Sequence, residues 1–274
     1  YNLLGRRDNI YKARIKILVQ ATGAEKFAAM VEEEWEKIKD GPLYLPQAEI
    51  DRIHRYFAPP AYEALEDNDP SFETARLEHP DFARWVRANT VRHRVPGYII
   101  ANVSLKPDGG APGDASADQM DLLADLAEQY SLNEVRVTHH QNIVFPNVRK
   151  RDLYALWQRL KPAKLATPNL GFVSDIIACP GLDYCNLANA RSIPVAQRLS
   201  RHFSDPRKLE DIGELRLNIS GCINACGHHH VGHIGILGVD KQGQEFYQVT
   251  LGGSSKDDAS LGKIVGAAFS EDDI

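Results

Sequence analysis

The sequence predicts an α+β protein, and three patterns carry that expectation. Between Gly97 and Leu160 the chain reads strand, helix, strand, strand, helix. Four later apolar runs, Phe172 to Ala178, Leu215 to Ser220, His233 to Val239 and Phe246 to Leu251, read as strands of a second unit. Ahead of both lie helical stripes, with no strand pattern among them.

In the first stretch, Ile10, Ala13, Ile17 and Ala21 share one helical face. Thr22-Gly23-Ala24-Glu25 has the form of a capping box that opens a second helix. The apolar stripe of that helix is Phe27, Val31, Trp35 and Ile38, and Asp40-Gly41-Pro42 ends it. Such stripes pack cores, so no chemistry is assigned to them. Residues 43–84 are mixed, with turn signals at Ala58-Pro59-Pro60 and from Asp67 to Pro70. From Gly97 to Leu105 a strand is expected, then a loop through Pro107-Asp108-Gly109-Gly110-Ala111-Pro112-Gly113. Ser116 to Gln119 forms a capping box for a helix bearing Leu122, Leu123, Leu126 and Tyr130. Glu134 to Thr138 and Asn142 to Pro146 are strands about a short turn, and Lys150 to Leu160 is helical. A helix over Ser192 to Phe203 separates the first two strands of the second unit.

Of 274 residues, 43% are hydrophobic and 25% charged, the balance of a globular chain able to bury a large core. A net charge of −5 argues against nucleic acid as a partner. No apolar run approaches the roughly 20 residues that span a bilayer, so no membrane partner is expected. The first residue is Tyr1 instead of methionine, which reads as a piece of something longer.

All four cysteines fall in two close pairs, Cys179 with Cys185 and Cys222 with Cys226, each after an apolar run. Two strand ends can thus present two thiols each to a common point. Two disulfides would suit a small secreted domain, but this chain is large and opens with polar residues instead of a signal peptide. A four-cysteine zinc site is open, although zinc ribbons prefer gaps of about two residues, and the gaps here are five and three. An iron–sulfur cluster tolerates varied spacing. Pro180, Gly181, Gly221 and Gly227 favour it, because they turn backbone N–H groups toward sulfur and remove bulk. Thiols kept reduced fit a cytoplasmic location.

The segments Cys179-Pro180-Gly181-Leu182-Asp183-Tyr184-Cys185 and Ser220-Gly221-Cys222-Ile223-Asn224-Ala225-Cys226 closely resemble the signature of sirohaem-dependent assimilatory sulfite and nitrite reductases. Thr138-His139-His140-Gln141-Asn142 resembles the T-x-x-Q-N turn of each half of those enzymes. The resemblance covers nearly the whole chain and is weakest from Gly41 to Ala88. It implies a ferredoxin-like half-module followed by an α+β cluster domain. The corresponding boundaries are residues 1–90 as a helical linker, 91–165 as the half-domain and 166–274 as the cofactor domain.

The resemblance also implies a 4Fe–4S cluster on Cys179, Cys185, Cys222 and Cys226, with Cys226 bridging to the sirohaem iron as its axial ligand. Gln141, Asn142, Arg191 and Asn224 are the matching candidates for the ring carboxylates. The implied reaction is the six-electron reduction of sulfite to sulfide, with nitrite to ammonia as the alternative. A non-catalytic fragment with a zinc site is the opposing reading. Because no flavin or nicotinamide motif occurs, electrons are expected from a donor protein, a ferredoxin or a flavoprotein reductase. The family's polypeptide looks duplicated. A missing N-terminal half would carry most of the substrate-facing cations, leaving this piece poorly active alone. His139 and His140 stand where the first repeat has an arginine. The run His228-His229-His230, with His233, reads either as lining of the cofactor cavity or as a separate metal site.

Overall fold

The computed structural model describes residues 1–9 and 11–274, which divide into two units, 1–61 and 62–274. The expected helical face beginning at Ile10 therefore lies partly outside the described residues. The first unit contains α1 (Ile15–Thr22), α2 (Ala24–Ile38) and α3 (Gln47–Tyr56), none with a buried residue. Val31 and Trp35 of the α2 stripe are exposed. The expected capping box does not form. Thr22 is still in the last turn of α1, and Gly23, at φ 89°, fills the cap position without a side chain.

The second unit opens with α4 (Pro70–Glu78) and α5 (Pro80–Asn89), in a stretch that the sequence left unassigned. The residues Asp67 to Pro70 read as a turn because the same types start a helix. Asp69 accepts from the N–H groups of Ser71 and Phe72, and Pro70 occupies the first helical position, where no N–H is needed.

A four-stranded antiparallel sheet follows, in the order β1 (Thr90–Arg92), β2 (Tyr98–Val103), β4 (Ile143–Arg149), β3 (Arg136–Val137). Helices α6 (Ala117–Tyr130) and α7 (Leu153–Leu160) complete the expected strand-helix-strand-strand-helix order, with β1 as an addition. The Ser116–Gln119 capping box is present in both directions. Phe82, Trp85, Leu126, Phe145 and Leu156 lie at the centre of its core, each fully buried.

The second sheet runs β5 (Ile177–Ala178), β6 (Leu217–Ser220), β7 (Ile234–Lys241), β8 (Gln244–Leu251), β9 (Lys263–Ile264). Its first three strands are parallel and the rest antiparallel. Helices α8 (Ile193–His202) and α9 (Pro206–Ile212) make the crossover between β5 and β6. The expected strand from Phe172 shrinks to two residues, because the N–H of Asp175 turns back to the carbonyl of Phe172. Val173 and Ile176 are nonetheless fully buried beside Ile219 and Tyr247, which explains their strand-like apolarity. Among the described residues no helix is long and apolar enough to cross a membrane.

Candidate functional site

Parallel pairing of β5 with β6 sends both cysteine loops out of the same end of the sheet. Ala178 lies opposite Ile219, so Cys179 and Gly221 leave their strands side by side. The N–H of Cys179 donates to the Ile219 carbonyl at 3.1 Å, and the N–H of Gly221 donates to Cys179 Sγ at 3.0 Å. Glycine is required where the loops meet. A Cβ on Gly221 would stand 2.9 Å from Gly181 Cα and 2.7 Å from the Ala190 carbonyl. Gly181 itself sits at φ 61°. Cys222 is buried, Cys179 and Cys185 are half-buried, Cys226 is exposed, and all four are free thiols.

The loop carrying Cys226 folds back onto β6. Gly227 donates to Ser220 Oγ at 3.1 Å and accepts from Asn218 Nδ2 at 2.9 Å. A Cβ on Gly227 would stand 2.0 Å from the Ile219 carbonyl oxygen. Ala225 and His228 bracket this turn at φ 58° and 54°, left-handed backbone that non-glycine residues adopt at a cost of about 1–2 kcal/mol. Local strain of this kind is concentrated at functional loops.

Cys226 opens into a cavity of about 400 Å³ walled by His139, His140, Arg216, His228 and Lys256. Among the described residues no carboxylate lines it, but Glu214, from outside the lining, pairs with Lys256 at 2.7 Å and with Arg216 at 3.8 Å. Arg216 Nη1 stands 3.3 Å from His140 Nε2. A guanidinium can only donate, so His140 carries its proton on Nδ1. Burial, with His139 and Arg216 nearby, holds the His140 pKa below the ordinary imidazole range. A separate cavity of about 280 Å³, beside Arg84, Arg87 and Asp108, contains no thiol. Among the described residues no three His, Cys, Asp or Glu side chains are gathered closely enough to hold a single metal ion.

The family described as the nitrite/sulfite reductase ferredoxin-like half domain matches residues 89–163, which span β1 to α7. A chloroplastic ferredoxin–nitrite reductase of Betula pendula is 33% identical over 96% of this chain and 40% of its own length. The structure of Mycobacterium tuberculosis NirA protein superposes with a TM-score of 0.63 at 25% identity, over 98% of this chain and 44% of that one. Residues 89–163 thus carry the nitrite/sulfite reductase ferredoxin-like half domain, and the chain as a whole is similar to nitrite and sulfite reductases. A ferredoxin sulfite reductase of Mycolicibacterium paratuberculosis is 28% identical over 92% of this chain and 40% of its own length. The chain thus spans about two-fifths of the curated relatives it matches.

The reductase-like motif residues occupy different positions around this end of the sheet. Gln141, at φ 57°, donates from Nε2 to the Ala178 carbonyl at 2.8 Å and accepts from the Ala178 N–H at 3.1 Å. Asn142 is buried, accepting from the Leu105 N–H and donating to Asp175. Arg191 pairs with Glu245 at 3.1 Å and Glu271 at 3.7 Å. Asn224 is exposed between Cys222 and Cys226.

The histidine run divides by role. His228 faces the cavity, while His233 Nδ1 accepts from the Arg216 N–H at 3.1 Å. His229 is buried against His230, ring centroids 3.9 Å apart, and burial pushes its pKa down to about 4.

Two wall cations, Arg216 and Lys256, escaped the sequence reading. Arg216 lies two residues before Asn218, which gives both side chains the same face of an extended segment. Lys256 follows β8 in a loop with no motif of its own.

Proposed function

We propose that this chain is the cluster- and sirohaem-bearing C-terminal part of an assimilatory reductase that takes sulfite to sulfide. The observation that carries this reading is the convergence of two paired-cysteine loops at one end of the sheet, with Cys226 opening into a cavity walled by His140, Arg216, His228 and Lys256. The donor set fits a 4Fe–4S cluster on Cys179, Cys185, Cys222 and Cys226. A cluster takes one thiolate at each of its irons, so its sulfurs need not converge on a single ion. The Gly221 N–H aimed at Cys179 Sγ stabilises thiolate charge. A wall of His140, Arg216, His228 and Lys256 fits the carboxylate-rich sirohaem.

When bound, the two groups supply stored electrons and the iron at which the anion is reduced. The chain's own residues supply the setting. Cys226 would help hold both groups. Arg216 and Lys256, both paired with Glu214 here, would turn to anionic charge in the cavity, and the neutral His140 ring holds a proton on Nδ1. Asn224 is free to reach a ring carboxylate. Gln141 and Asn142 support the wall through β5 and Asp175, while Arg191 is held by Glu245 and Glu271 outside that wall.

Nitrite is the second reading, favoured because relatives in Betula pendula and Arabidopsis thaliana are named ferredoxin–nitrite reductases. The same names favour a ferredoxin as the electron donor. The shared length favours a companion N-terminal half in the complete enzyme, carrying the remaining cations.

Anaerobic purification followed by absorption spectroscopy and iron and acid-labile sulfide analysis tests the assignment. Broad iron–sulfur absorption with a sirohaem band is expected. A colourless sample containing zinc would remove it. Steady-state rates on sulfite and nitrite, measured with the complete enzyme, separate the two substrates.

A further inference from the structure

Lys106 follows β2 and is only 2% exposed, a placement that an ammonium tolerates only with partners. It donates to Asp175 Oδ1 at 2.6 Å and to the carbonyl of His140. Asp175 accepts in addition from Asn142 Nδ2 at 3.0 Å on the same oxygen and from the Gly171 N–H at 3.0 Å on the other. The Lys106 carbonyl accepts from the fully buried Asn169 at 3.1 Å. Three segments are joined at this pair: the end of β2, the Thr138–Asn142 turn, and the approach to β5.

A buried ion pair is a weak source of net stability, since desolvating two charges offsets most of their attraction. Replacing both partners with apolar groups is often neutral, whereas removing one is costly. What the pair contributes here is position. The backbone it grips leads directly into Gln141, whose left-handed φ is unfavourable for an isolated chain. The ring it thereby orients, His140, faces the Cys226 cavity and meets Arg216.

We propose that Lys106 is a positioning residue. Anchored by Asp175, its ammonium holds the His140 carbonyl and presets the His139–His140 pair on the cavity wall before any anion enters. Only the nature of that anion rests on the reductase reading; the preset geometry does not. A wall fixed from the core binds an anion without the cost of ordering its side chains.

The test is long-range proton–nitrogen spectroscopy of the histidine rings in the full 274-residue chain without added anion. The wild type is expected to show His140 as a single tautomer protonated on Nδ1. In Lys106→Met and Asp175→Asn, the His139 and His140 signals shift and His140 becomes a tautomer mixture, while the exposed His202 on α8 is unmoved. The charge-free pair Lys106→Met/Asp175→Leu decides the matter if a single variant unfolds. A tautomer mixture at His140 in the wild type, or unchanged His139 and His140 signals in the folded double variant, would overturn the proposal. Absence of iron and sirohaem from the purified chain would remove the reductase reading and leave this measurement intact.

Discussion

Gln141 and Ala178 exchange two hydrogen bonds, the side-chain amide of one pairing with the backbone of the other at 2.8 and 3.1 Å. Because β5 is the edge of its sheet, the Gln141 amide does what a further strand would do for Ala178. It also fixes the strand immediately ahead of Cys179. The turn that resembles the reductase motif is thereby coupled to the first cysteine loop through the backbone.

Gln141→Leu is expected to destabilise the chain by about 1–3 kcal/mol, the cost of leaving a buried backbone donor and acceptor unpaired. Ala178 is 4% exposed, so water does not readily replace the amide. Urea denaturation gives the magnitude, and hydrogen exchange at the Ala178 N–H gives the location. An exchange rate at Ala178 equal to that of the wild type would show that the pairing has no protective role.

Gly227→Ala is expected to displace the Cys226 loop, since the new Cβ would stand 2.0 Å from a backbone oxygen that cannot move without shifting β6. Overpacking of this kind costs about 1–3 kcal/mol or more. Gly243→Ala is the control. That glycine has φ 81° but nothing within 4 Å of the added carbon, so only backbone strain applies. Thermal melts of both variants, with the reaction rate of Cys226 toward a disulfide reagent, separate the cases. Equal losses of stability and equal Cys226 rates would mean that the close approach at Gly227 does not set the loop.

Local chemistry was the legible part of this fold. The Ser116–Gln119 box lies within four residues, and both cysteine loops announce themselves by spacing and glycine. The same kind of signal misled at Thr22, where a neighbouring helix had already claimed the residue. It was ambiguous from Asp67 to Pro70, where a turn and a helix start use the same side chains. Long-range polarity was not legible. Lys106 looks like any surface lysine until Asp175, 69 residues later, arrives beside it. Arg216, just ahead of β6, and Lys256, in the loop after β8, reach one cavity from different segments, and neither carries a motif.

Acidification is expected to destabilise the fold through His229. Its folded pKa, about 4, lies below the ordinary imidazole value near 6.5, because burial and His230 oppose the charged ring. Between those values the unfolded chain takes up a proton that the folded chain refuses, so stability rises with pH across that window. The contribution is fully present above about pH 6.5 and is lost as pH falls through about 4. His229→Gln, which cannot titrate, should flatten this part of the profile. Urea midpoints of both proteins at several pH values supply the comparison; parallel curves would show that His229 is protonated alike in both states.

Cys179 and Cys226 should differ in what their loss removes. Cys179 is half-buried, with its sulfur 3.0 Å from the Gly221 nitrogen and 3.4 Å from Ser192 Oγ, and it faces the meeting point of the two loops. Cys226 is exposed, lies on the strained turn, and lines the cation-walled cavity. Under the proposed function, Cys179 would hold the cluster alone, whereas Cys226 would hold both the cluster and the sirohaem. Cys226→Ser is therefore expected to lower sirohaem content more than Cys179→Ser does. Both variants should lose iron and acid-labile sulfide, because each removes a cluster ligand. The measurement is sirohaem extracted per polypeptide, beside iron and sulfide, from both variants purified anaerobically with the wild type. A role for Cys226 in the cluster alone predicts that the two variants lose sirohaem to the same extent, and that result would take away its hold on the sirohaem.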